Sequence, residues 1–270
     1  MKIAAAIFSI LIIVFLLAPF LVLIPMSFGS ADIAEFPPRS LSVEQYKRFL
    51  ESTPWVQALF TSIRVAVATM AISTTLGTMA AFGLVRGRFR GIATISSLLI
   101  APRFVPIIIT ALAYYAFLVK IRLIGTEYGL VLAHTILACP YVIIIVSSNL
   151  RGFDRSLEQA SRILGASPFQ TTLRVTLPLI RPGIISAALF AFMLSFDEIV
   201  VALFVCGTHT ETLPKRMWDS LTYEMEPTLP AISTLILVAT ILVFATAGWA
   251  QRTAARLRST GSDAKKIMAA

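Results

Sequence analysis

Six apolar stretches, each long enough to cross a bilayer, constrain this chain more than any other feature. A spanning helix needs about 20 mostly apolar residues. Runs of that kind fall at roughly 3–28, 56–85, 92–119, 128–150, 183–205 and 229–249. The chain therefore reads as an all-α polytopic membrane protein, a single transmembrane domain over 1–270 with a cytoplasmic loop at 151–182. Composition agrees: only 14% of residues are charged and 57% are hydrophobic, against about 25% charged in soluble domains. The first run follows Lys2 but is too long for the apolar core of a signal peptide. No Ala-x-Ala site follows it, so it reads as a retained anchor.

The loops set the orientation. One group, holding Lys2, the arginines at 86, 88 and 90, those between 151 and 181, and the C-terminal tail, carries fourteen basic residues against three acids. The other group carries seven basic residues against nine acids. By the positive-inside rule the first group is cytoplasmic, with both termini inside. The formal net charge of +9 is then almost entirely topological bias, and nucleic-acid binding is not needed to explain it.

Catalytic chemistry finds little support. Cys139 and Cys206 lie in separate apolar runs without metal-ligand spacing, and His134 and His209 are far apart. No Gly-x-x-x-x-Gly-Lys-Ser/Thr loop and no His-Glu-x-x-His pair occurs. No cofactor or metal is expected, and any ATP-driven work requires a separate subunit.

The loop at 151–182 is conspicuously polar and basic. Asp154 is placed to cap a helix, along which Leu157, Ala160, Ile163 and Leu164 recur at helical spacing. Gly165 suits the position just past a helix C-terminus. Ser167-Pro168 suits the start of a second short helix, and Pro178 is expected to end the irregular segment before the next span. From this pattern alone the loop is either a bracket on the inner membrane face or a docking element.

The spacing within it decides more. Gln159-Ala160-Ser161, three residues, Gly165, nine residues, Val175, one residue, Leu177-Pro178 resembles the coupling-loop signature of bacterial ABC importer permeases. That signature is Glu-Ala-Ala, three residues, Gly, nine residues, Ile, one residue, Leu-Pro. Gln159, Ser161 and Val175 depart from it, and the neighbouring Glu158 stands ready to supply the missing charge. Ser62 within Ala-Leu-Phe-Thr-Ser-Ile, the run Ser195-Phe196-Asp197-Glu198, Gly207 and Thr212-Leu213-Pro214 look like the spermidine/putrescine-type branch. The likeness covers about residues 56 to 250.

The resemblance implies a type I importer permease of six transmembrane helices, lying in a bacterial inner membrane and forming half of a translocation pathway. Its implied partners are a second permease subunit, a paralogue, two cytoplasmic ATPase subunits and a periplasmic substrate-binding protein. It implies ATPase docking at Glu158, Gln159, Ala160, Ser161, Gly165, Ala166, Leu177 and Pro178. The cargo would be a small polar solute, cationic or polyamine-like. The alternatives are the same machinery serving an anion, a metal complex or an amino-acid derivative, or a self-contained channel. An intramembrane enzyme lacks its nucleophile and metal ligands.

Four charges fall inside spans: Arg64, Arg103, Asp197 and Glu198. Such groups mark functional sites by default. Either the arginines pair with the acids and lock the bundle, or a carboxylate faces the pathway; Ser195, Asp197, Glu198 and Arg103 are the candidates for pathway or gate. On an unbroken helix the adjacent acids would point about 100° apart. Pro102, Pro106 and Pro140 interrupt spans, and the third span is expected to wall a cavity. The external stretch 207–227 reads as an irregular acidic loop, and 42–50 as a short amphipathic piece.

Overall fold

The computed structural model describes residues 2–30, 35–224, 226–245 and 248. Its helices are α1 (Lys2–Ser27), α2 (Glu44–Glu51), α3 (Thr53–Arg86), α4 (Ile92–Ile100), α5 (Ile107–Lys120), α6 (Glu127–Arg151), α7 (Arg155–Ile163), α8 (Pro168–Thr171), α9 (Leu177–Phe196), α10 (Val200–Val205), α11 (Leu213–Asp219) and α12 (Leu229–Ala245). A single antiparallel bridge, Gly29 with Leu41, is the only β-type pairing among the described residues. The chain divides into two compact units, Met1–Val56 with Met217–Ala270, and Gln57–Arg216.

In the first unit, α1 is apolar around its whole circumference and none of its apolar window is buried, as suits a helix solvated by lipid. The chain leaving it is tied back by the Ser42 N–H donating to the Phe28 carbonyl at 2.6 Å and by the Ser27–Tyr46 hydroxyl pair at 2.7 Å. Helix α2 is the amphipathic piece expected near 42–50. The buried Trp55 donates its indole N–H to Glu226 at 2.7 Å, and the Thr228 hydroxyl donates to the same oxygen at 3.1 Å. The run expected to reach 249 is helical as far as Ala245, and its remainder, with Trp249, lies outside the described residues.

The second unit is built on α6, whose residues are mostly buried. Toward one end Val142, Val146 and Leu150 pack on Ile180, Ala187 and Ala191 of α9; toward the other Leu130, Ala133 and Leu137 pack with Ala111 and Leu118 of α5 and Val201 and Val205 of α10. Small residues allow the close approach that helix packing in lipid depends on. At Gly183 a Cβ would sit on the Asn149 side chain, so glycine sets the α6–α9 distance there.

Of the expected spans, α1, α3, α6 and the helix through α9 are each long and apolar enough to cross a membrane. The third run is not straight. Helix α4, a 3-10 turn at Ala101–Phe104 and α5 form a pair bent by 103°. The prolines cause it: Val105, before Pro106, is extended (φ −79°, ψ 135°), as the residue before a proline tends to be.

The fifth run corrects the sequence reading twice. Pro178 ends nothing; helix runs without interruption from Pro168 to Phe196, through a π-turn at Thr172–Thr176. Widening the helix just before Pro178 relieves the collision of its ring with the carbonyl four residues back. The expected helix to 205 then breaks at Asp197–Ile199, and α10 begins afresh at Val200. The stretch 207–227 is also more regular than expected, containing α11 and a π-turn at Ser220–Glu224.

Candidate functional site

The cytoplasmic loop folds from local rules. Asp154 accepts the Ser156 N–H at 2.9 Å and starts α7; these bonds hold its carboxyl below the ordinary aspartate range. The helix stops at Gly165, whose φ of +88° is favourable only for glycine. There the Ala166 N–H reaches the Ser161 carbonyl at 3.1 Å and the Gly165 N–H reaches the Arg162 carbonyl at 3.0 Å, a Schellman closure. Ser167 and Gln170 then form a reciprocal capping box around Pro168. The two short helices are pinned to each other by the Ser161–Thr171 hydroxyl pair at 3.2 Å.

The bracket's apolar residues do not face inward. Ile163, Leu164 and Phe169 are 85%, 87% and 72% exposed. Gln159, Ala160, Gly165 and Pro178 are exposed as well, whereas Glu158, Ser161, Ala166 and Leu177 are partly covered. Glu158 faces the protein: Arg86 donates to it at 3.0 and 3.2 Å, and the Thr176 hydroxyl at 3.0 Å. Arg86 also donates to the Leu150 carbonyl at 3.3 Å. The Arg86–Glu158 pair therefore ties the bracket to the ends of α3 and α6 and to the π-turn.

The second cluster surrounds the break in the fifth run. Ser195 ends α9 in a hydrogen bond to the fully buried His134 ring of α6, 2.8 Å from Nδ1. Asp197 occupies the C-cap of α9. Glu198 accepts the Val201 N–H at 3.0 Å, satisfying one of the free donors that begin α10. Because α9 ends at Phe196 and both acids stand in the break before α10, the 100° divergence expected on an unbroken helix does not apply to them.

The expected pairing of these acids with span arginines is not found among the described residues. Arg64 pairs instead with Glu127, at 2.5 Å. Arg103 stands in the 3-10 turn of the bent run, its guanidinium 5.1 Å from the Phe104 ring centroid and 5.7 Å from that of Tyr141. A cation over aromatic faces keeps electrostatic compensation without a carboxylate. The structure thus brings Ser195, Asp197 and Glu198 together at one break and leaves Arg103 on a different bend.

Two other sequence landmarks do meet. The Leu213 N–H donates to the buried Ser62 hydroxyl at 2.7 Å. Gly207 lies so close to Gly125 that a Cβ there would be 2.9 Å from the Gly125 carbonyl oxygen.

Comparison with known proteins decides what this arrangement belongs to. Residues 73–259 match the family described as "Binding-protein-dependent transport system inner membrane component". The chain is a member of that family of permeases. It is 37% identical over 236 residues to the putrescine transport system permease protein PotI of Escherichia coli K12, covering 85% of this chain and 84% of that protein. It is 29% identical over 231 residues to the spermidine/putrescine transport system permease protein PotC of Haemophilus influenzae, covering 86% and 90%. Among solved structures it superposes on a bacterial ABC transporter for import of the acidic polysaccharide alginate with a TM-score of 0.72 at 18% identity, covering 91% and 94% of the two chains. A methionine ABC transporter gives 0.57 at 20% identity, covering 75% and 98%. Both likenesses are of fold; the family match makes the chain a multi-pass inner-membrane permease.

Three residues of this permease's sites escaped sequence reasoning. In the sequence Arg86 reads only as a topological charge, Glu127 as one of the nine acids of the second loop group, and His134 as too far from His209 for a metal. His134 did carry a signal: a lone ionisable ring in an otherwise apolar run is costly unless bonded.

Proposed function

We propose that this permease forms half of the translocation pathway for a small polyamine-like cation. Six spans, the bent pair and α12 included, make one permease domain over the whole chain, with both termini cytoplasmic. A second, paralogous permease subunit completes the pathway. Two cytoplasmic ATPase subunits drive it, and a periplasmic binding protein delivers the cargo. The exposed apolar trio Ile163, Leu164 and Phe169 on the 151–182 bracket carries this reading. A rigid, doubly capped bracket that turns its largest apolar side chains outward is built to be covered by another protein. Gln159, Ala160, Gly165 and Ala166 lie along the same short helices, while Glu158 acts inward, holding the bracket in position. Leu177 and Pro178 belong to the root of α9. The names of the putrescine and spermidine/putrescine relatives support the cargo class.

Cysteine crosslinking tests the docking claim. Cysteines at Ala160 and Ala166 should crosslink to the ATPase, and Gly165→Trp should uncouple ATP hydrolysis from uptake. Crosslinks from cysteines at 207–212 instead would reverse the orientation and remove the docking claim. For the pathway, Asp197→Asn and Glu198→Gln are to be compared for assembly and labelled putrescine uptake. Normal assembly with impaired uptake supports a pathway role for Asp197. Uptake equal to the parent in both removes the acids from the pathway and leaves the cargo class resting on the relatives alone.

A further inference from the structure

A cavity of about 560 Å³ opens between the end of α3 and the bracket, lined by Arg86, Arg88, Arg155, Arg162 and Glu158 among others. Four arginines therefore converge on a space holding one carboxylate, and that carboxylate is already committed to Arg86. Arg88, Arg155 and Arg162 have no ion-pair partner among the described residues. In addition, Arg86 Nη1 is buried with no hydrogen-bond partner. A buried guanidinium N–H without an acceptor is unfavourable; Arg88, Arg155 and Arg162 are exposed around it, where solvent screens their mutual repulsion but leaves them open to an anion. The positive-inside rule accounts for arginines on this side of the membrane. It does not account for their convergence on one cavity or for the unmet donor. Phe82 and Pro168 supply apolar wall beside the guanidinium groups. The volume lies in the range of ligand sites.

We propose that this cavity is a phosphate-class anion site, holding either the phosphodiester of an anionic phospholipid headgroup or free inorganic phosphate against Arg86, Arg88 and Arg155. Arginine's planar fork suits phosphate oxygens in paired hydrogen bonds, and basic pockets on the cytoplasmic side are a recurring way of holding anionic headgroups. An anion here would also bridge α3 to α7 at the base of the bracket. The lipid source depends on the cytoplasmic orientation proposed above; the phosphate source does not.

The test uses the permease assembled with its ATPase. In nanodiscs of phosphatidylcholine with added phosphatidylglycerol, native mass spectrometry should find phosphatidylglycerol retained on the parent. Arg88→Gln with Arg155→Gln should lose it by about fivefold per arginine removed. In lipid-free detergent, labelled inorganic phosphate is the second probe, and it needs no membrane sidedness. Retention of the lipid alone supports the headgroup, and binding of phosphate alone supports the free anion. If neither probe distinguishes parent from variant while both assemble, the proposal is overturned. It is equally overturned if either probe binds only after the ATPase is removed, because an acidic side chain of that subunit then fills the cavity. Should the double variant fail to assemble, the single variants Arg88→Gln and Arg155→Gln carry the same comparison.

Discussion

The third and fifth runs are both broken within apolar sequence, and they break for opposite reasons. The third bends by 103° at Pro102 and Pro106, where the covalent backbone forbids a straight helix. The fifth passes through Pro178 and Pro182 as continuous helix and breaks at Asp197–Ile199, where neither proline nor glycine stands. One break is imposed by local chemistry; the other is held by one tertiary bond, Ser195 to His134, beside a local cap, Glu198 accepting the Val201 N–H. A proline in a first turn or behind a π-turn costs a helix little, while side chains that satisfy freed backbone groups let a helix end anywhere.

The largest effect should come from removing what holds the fifth break. Ser195→Ala leaves the buried His134 ring without its partner, expected to cost about 1–3 kcal/mol. Glu198→Leu removes a cap worth about 1 kcal/mol. The double variant should lower the unfolding midpoint in detergent by more than either single change. No shift in the double would mean that packing, not these bonds, sets the break.

An intermediate effect is expected at the third run. Pro102→Ala with Pro106→Ala frees the backbone and raises unfolded-chain entropy, a loss of about 0.4–1 kcal/mol for each compatible site. The bend itself should relax, lengthening the distance between spin labels at the exposed Ser97 and Tyr115. A distance unchanged from the parent would show that tertiary contacts hold this bend too, and the contrast between the runs would disappear.

The smallest effect isolates a carboxylate cap in water. Asp154 does for α7 what Glu198 does for α10, but on the surface. Its folded-state pKa is depressed, so its contribution is fully present above the unfolded value and is lost as pH falls through the folded one. Hydrogen exchange at the Ser156 amide should speed up in acid below the ordinary aspartate range after correction for intrinsic rates, and Asp154→Asn should flatten that response. Protection independent of pH in the parent would separate the two caps.

What was legible in the sequence follows the same division. The positions of α1, α3 and α6, the proline interruption at Pro102–Pro106, the Asp154 cap, the Gly165 stop and the Ser167-Pro168 start are local consequences of residue type and spacing. The break at Asp197 was not legible, because its cause lies 61 residues away at His134. The orientation of Glu158 was hidden for the same reason: its partner Arg86 lies 72 residues earlier. The outward turn of Ile163 and Leu164 was hidden too, since helical periodicity marks an apolar face without saying what covers it.

The uninterrupted helix from Pro168 to Phe196 has a mechanical consequence. Its 29 residues span about 43 Å at 1.5 Å per residue. Its foot is clamped to the bracket through Thr171 and Thr176, and its tip ends one residue short of Asp197. It is a stiff lever. Each degree by which its foot is tipped swings the tip by roughly 0.75 Å at that length, so a small tilt imposed at the bracket would arrive, magnified, beside the two acids.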